Sequence, residues 1–193
     1  MNIRFAWALF AVFITSGCAF TPERPVPIQP DVRVSASSMG KGSLVSVVVA
    51  DERPSTTLGT RGVKGVGAEI TVTEMSAPIR NALVQGLEQQ GFTIAKSPTE
   101  IDRALKVEIR NLDYGVTRGF WAGSLKTQCA LKAICIVGKD RPYENLYRGE
   151  FSDSVQVVQS EEKNERFVNT AVSDAVNRLL SDEALMKCLT TPK

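Results

Sequence analysis

Leu105-Lys106-Val107-Glu108-Ile109-Arg110 alternates apolar and charged side chains without a break. A period of two places one face of a β-strand on a core and the other in water. The apolar positions then move to Leu112 and Tyr114, and this change of phase predicts a bulge near Asn111. Past the glycines that frame Val116 to Ala122, the residues Leu125, Cys129, Leu131, Ala133, Cys135 and Val137 fall on one face of a second strand, with Lys126, Gln128 and Lys132 on the other. Asp140-Arg141-Pro142 marks a turn, and Tyr147, Phe151, Val155 and Val157 give a third strand its apolar face. Residues 104 to 158 thus read as an antiparallel meander with one face to bury.

What buries it follows directly. Ser160 is a good N-cap, Glu161 and Glu162 suit the positive end of a helix dipole, and Phe167, Val168, Ala171, Val172, Ala175, Val176, Leu179 and Leu180 make a continuous helical stripe. Ser181-Asp182-Glu183 leads into a last short turn with Leu185, Met186 and Leu189. Upstream, Ser76 as N-cap, Pro78 in the first turn, and Ile79, Leu83 and Leu87 at helical spacing predict a helix closed by a left-handed Gly91. Phe92-Thr93-Ile94 follows as a strand. Leu44 to Val49 is rich in β-branched residues and reads as a central strand, with Val32 and Val34 as an edge. The expected fold is α+β, a two-layer sandwich in which a mostly antiparallel sheet is covered on one face by two amphipathic helices.

Two polar groupings stand out between these elements. Asp51 and Arg53 end the central strand, and Arg61 follows in a glycine-rich stretch that matches neither phosphate-loop nor dinucleotide-loop spacing. That stretch reads as a loop or irregular hairpin leading into a strand over 68–72, and the three charged residues are candidates for pairing with each other or receiving a ligand. Phe120 and Trp121, in the connection between the first two meander strands, are candidates for touching a partner or a lipid surface, or for folding back on the core.

The chain has no histidine, which excludes Ser-His-Asp and Cys-His catalysis and removes the commonest metal ligand. An enzyme using carboxylates alone, as glycosidases do, needs two of them about 5 to 9.5 Å apart in a cleft. No such pair can be placed from sequence, and the expectation is a protein without catalytic residues, metal or cofactor. The 23 basic and 21 acidic residues nearly cancel, giving no case for a nucleic-acid partner.

Phe5 to Ile14 is an apolar run behind Arg4, ten residues where a membrane-spanning helix needs about 20. It reads as a signal peptide over 1–17. Ile14-Thr15-Ser16-Gly17-Cys18 resembles a bacterial lipoprotein lipobox, with Thr15 where Leu is usual. The resemblance implies cleavage before Cys18 and its modification by lipid, and Ala19 in place of Asp favours export to the outer membrane. Pro22, Pro25, Pro27 and Pro30 predict an extended tether over 18–31, reaching about 35 Å from the lipid, with a single periplasmic domain over 32–193. If Cys18 is lipidated, Cys129, Cys135 and Cys188 remain. Six residues apart in one strand, Cys129 and Cys135 would be about 20 Å apart and unable to pair. Two alternatives stand: Cys188 bridged to Cys129 or Cys135, or no bridge at all.

The order of the lipobox, Ala50-Asp51-x-Arg53, Leu58-Gly59-x-Arg61, the helix ending Gln90-Gly91-Phe92 and the terminal helix resembles the YajG-type family of uncharacterised outer-membrane lipoproteins. That family implies a small periplasm-facing lipoprotein with no established enzymatic activity. The three extra cysteines and Phe120-Trp121 depart from it. The functional expectation is a non-catalytic interaction, scaffold or accessory module of the cell envelope, anchored by lipid and partnered by an envelope protein or further copies of itself. The alternative is a periplasmic lipoprotein that binds a small ligand or lipid between sheet and helices.

Overall fold

The computed structural model describes residues 24–62, 67–96, 103–118, 123–155 and 159–190. Three long strands carry it: β5 (Arg103–Arg118), β6 (Gly123–Val137) and β7 (Asp140–Val155), the numbering following β1 (Leu44–Asp51), β2 (Thr57–Thr60), β3 (Glu69–Thr71) and β4 (Thr93–Ile94). The five-stranded sheet has the order β4-β1-β5-β6-β7, and β2 pairs with β3 in a separate antiparallel hairpin. β5, β6 and β7 form the antiparallel meander. β1 runs parallel to both its neighbours, β4 and β5, because the chain returns to its side through the β2–β3 hairpin and a helix.

The bulge falls one residue before Asn111. Ile109 pairs with Leu131 and Asn111 with Ala130, so Arg110 is the extra residue. The extra residue returns Leu112 and Tyr114 to the face of Leu105, Val107 and Ile109, and all five are buried.

Helices α1 (Ser76–Gln89), α2 (Glu161–Leu180) and α3 (Glu183–Leu189) complete the chain, making the fold α+β with the helices packed on the sheet. α2 crosses β7 so closely that a Cβ on Gly149 would lie 2.0 Å from the Ala171 carbonyl oxygen. Phe151 stacks on Phe167 with ring centroids 4.7 Å apart. Ser160 caps α2 by accepting from Lys163 N, and Asp182 caps α3 by accepting from Ala184 N and Leu185 N. α1 starts differently from expectation: Ser76 is its first residue rather than its cap, and the Glu74 carboxylate accepts from Ala77 N instead. The fully buried Met75 occupies the cap position, so packing decides this end of the helix. Gly91, at φ +89°, closes it. Phe92 N donates to Leu87 O and Gly91 N to Glu88 O, the paired bonds of a Schellman motif.

The structure corrects the reading of residues 24–34. Val32 and Val34 are not an edge strand, and the expected free tether is part of the packed domain from Arg24 onward. Val26 and Ile28 are buried, which stabilises the docked state by about 1.5–3 kcal/mol for each side chain fully removed from water. Val26 N donates to Thr71 O beside β3, and the segment then runs along α2.

Candidate functional site

Asp51 and Arg53 meet at the end of β1. The guanidinium Nε donates to Asp51 Oδ1 at 2.9 Å and Nη2 to Oδ2 at 2.7 Å, a two-pronged ion pair. Arg53 Nη2 also donates to Val72 O at 3.1 Å, tying the end of β1 to the chain leaving β3. The Arg53 side chain is only 3% exposed, and its hydrogen bonds hold the Asp51 carboxyl below the usual carboxylate range. Arg61 lies apart from this pair, donating from Nη2 to Gln159 O at 2.5 Å just before α2. These three residues therefore pin strand ends, hairpin and helix to one another.

Cys135 and Cys188 form a disulfide with Cα atoms 6.4 Å apart, and Cys129 is a buried free thiol. Burial pushes the Cys129 thiol up to about 12, so it stays protonated at neutral pH. Arg103 Nη1 donates to Cys188 O at 2.6 Å beside the bridge. Cys18, Phe120 and Trp121 lie outside the described residues.

Nearby, Tyr143 and Tyr147 both donate their hydroxyl hydrogens to Asp182 Oδ2, at 2.7 and 2.6 Å. Burial opposes the charge on Asp182, yet the two phenols, Leu185 N and Asn145 outweigh it and hold the carboxyl at about 2. On the open face of the sheet, Glu52 and Glu108 share the cations Lys106 and Arg110. The Lys106 hydrogen bond keeps Glu108 ionised against its burial. Among the described residues, no group of three His, Cys, Asp or Glu side chains could hold a metal ion, and no helix is long and apolar enough to cross a membrane.

Among the described residues, Leu105, Val107, Ile109, Leu131, Ala133, Val172, Ala175, Val176 and Leu179 are fully buried in the core shared by sheet and helices.

One constellation has no counterpart in the sequence reading. Asn169, Ser173 and Asn177 follow each other at intervals of four along α2 and bind the backbone of residues 27–33. Asn169 accepts from Gln29 N at 2.6 Å and donates to Pro27 O at 2.9 Å. Ser173 accepts from Asp31 N at 2.9 Å. Asn177 accepts from Arg33 N at 2.7 Å and donates to Asp31 O at 2.8 Å. Four helical residues rise about 6.0 Å and two extended residues about 6.2–6.6 Å, so the two repeats stay in step over three rungs. The signal was present as a polar stripe at spacing four beside the apolar one.

A sequence model of a family described as uncharacterized lipoproteins matches residues 30–190. The chain belongs to that family. No curated protein matches this lipoprotein. Among solved structures, the lipoprotein is similar to a Helicobacter pylori protein described as a homolog of neuraminyllactose-binding hemagglutinin, at 8% identity and TM-score 0.54, covering 86% of this chain and 96% of that one. It is also similar to a Xanthomonas campestris protein at 15% identity and TM-score 0.48, covering 79% and 91%. A minor lipoprotein from Acinetobacter baumannii matches at 10% identity and TM-score 0.45, covering 72% and 89%. The first of these likenesses shows a shared fold.

Proposed function

We propose that this lipoprotein is anchored to the outer membrane through lipid on Cys18, faces the periplasm, and acts as a non-catalytic interaction module, a scaffold or accessory subunit for an envelope protein or for further copies of itself. The observation that carries this reading is the use of its polar side chains. Asp51, Arg53, Arg61, Tyr143, Tyr147 and Asp182 all hold elements of the fold together. What the domain offers other molecules is its surface. The lipobox and Ala19 support the anchor and its destination. The Phe120-Trp121 connection supports a contact surface, since it follows Arg118 at the end of a long hairpin whose strands stay paired to Arg118 and Gly123.

Crosslinking in intact cells followed by pull-down tests the proposal, comparing the unaltered chain with Cys18→Ala and with Phe120→Ala/Trp121→Ala. A defined partner or oligomer that is lost on either change is the expected result. Monomer alone in every case would refute it.

A further inference from the structure

We infer that the segment docked on α2 is a short leash that turns one chosen pole of the domain toward the lipid surface. The inference rests on lipid at Cys18, as proposed above.

Direction comes from the ladder. Asn169, Ser173 and Asn177 bind Gln29, Asp31 and Arg33 in that order, so the docked segment runs parallel to α2. Its upstream end therefore lies at the start of that helix. Arg24 stands there, 3.8 Å from Glu161 and 3.7 Å from Glu165. The same pole holds the paired ends Arg118, Gly123 and Val155 of the meander. The turn between Val137 and Asp140 lies at the other end of β7, about 50 Å away at 3.3 Å per residue over 16 residues.

Length then fixes distance. Arg24 follows Cys18 by six residues, a link that spans no more than roughly 20 Å even when fully extended. A free chain from Cys18 to β1 would let the domain tumble. The docked segment removes that freedom and keeps the α2 start within about one link length of the bilayer. Charge has little part in this orientation, because Arg24 faces Glu161 and Glu165 in solvent-exposed pairs that salt screens. The lipid surface is met by a pole chosen by where the chain enters.

The test uses the mature lipoprotein in vesicles of phosphatidylethanolamine and phosphatidylglycerol containing a lipid with a paramagnetic headgroup. A fluorophore is placed at Ser154→Cys, near the α2 start, or at Lys139→Cys, in the opposite turn. Both sites are exposed, and the native Cys129 is buried. Quenching at position 154 is expected to exceed that at 139 several-fold and to persist at high salt. Inserting about 18 Gly/Ser residues between Cys18 and Arg24, outside the docked segment, should bring the two sites to the same low level. Equal quenching in the unaltered, lipidated protein, or stronger quenching at 139, would overturn the inference while leaving the anchored module intact. The intact mass reads lipidation separately, and an unmodified Cys18 would overturn both.

Discussion

Tyr147 gives its hydroxyl hydrogen to Asp182 at 2.6 Å, across the joint between the last strand and the last helix. The same carboxylate caps α3, so one side chain both holds the last strand and starts the last helix. Asp182→Ala should cost about 2–4 kcal/mol in urea unfolding at neutral pH. It removes a cap worth about 1 kcal/mol and strands the buried Tyr147 hydroxyl at roughly 1–3 kcal/mol. The carboxyl is held at about 2 in the fold, against about 3.9 in an unfolded chain. Its ionisation therefore stabilises the fold above pH 4 and loses that contribution as pH falls through 2. Unfolding of the unaltered chain and of Asp182→Ala should accordingly draw closer from pH 4 to pH 2. A gap independent of pH across that window would refute the assignment.

The Cys135–Cys188 bridge spans a sequence separation of 53 residues. Closing a loop of that length is worth up to about 4 kcal/mol by restricting the unfolded chain. Cys188→Ser, or reduction, should lower stability on that scale. Native protein should leave Cys129 unlabelled by a maleimide until it unfolds, because that thiol is both buried and kept protonated. Rapid labelling of an unreduced native sample would contradict the pairing.

Two glycines under helices should respond differently to alanine. At Gly149 the new methyl would meet backbone of α2, 2.0 Å from Ala171 O and 2.4 Å from Ala175 N. The helix must move, and a loss of about 3 kcal/mol or more is expected. At Gly86 the nearest atom is Leu180 Cδ1 at 2.3 Å, a side-chain end rather than backbone, and alanine also favours α1 by about 1 kcal/mol. Gly86→Ala should cost far less. Comparable melting temperatures for the two variants would show that α2 yields more easily than its contacts imply.

Removing Asp51 should harm the fold more than its exposed position suggests. Asp51→Ala leaves the guanidinium of Arg53, 3% exposed, without its anion, a loss of about 3–5 kcal/mol for a buried charge deprived of its partner. Replacing Arg33, whose ion pair with Asp31 is 76% and 60% exposed, should change stability by less than about 1 kcal/mol. Denaturant unfolding of the two variants checks this ordering, which equal losses would refute.

Much of the fold was legible because the meander and α2 are long and strictly periodic. Leu105 to Ile109 could only be a half-buried strand, and the slip to Leu112 could only be absorbed by a bulge. The start of α1 was misplaced because a buried Met75 outweighed the better capping chemistry of Ser76. Residues 24–34 were misread for a more instructive reason. Prolines correctly announced an extended chain, but extension says nothing about what lies beside it. The partner was written far downstream, in Asn169, Ser173 and Asn177, and only the matched rises of helix and extended chain bring the two together. Asp51, Arg53 and Arg61 were legible as notable residues. That they pin the fold depends on tertiary neighbours, Val72 and Gln159, which no local pattern reveals.

Timing gives the docked segment a further meaning. Its receptor lies about 140 residues later in the chain, and β1 likewise waits for β5 as its parallel partner. A chain made amino terminus first thus presents residues 26–33 and β1 before anything exists to cover them. The meander and α2 have mostly near neighbours in sequence and can assemble as soon as they emerge, whereas the early segments face the slow closure of distant contacts. Seating residues 26–33 therefore waits on the last long helix, and the amino-terminal segment docks only once Asn169, Ser173 and Asn177 are in place.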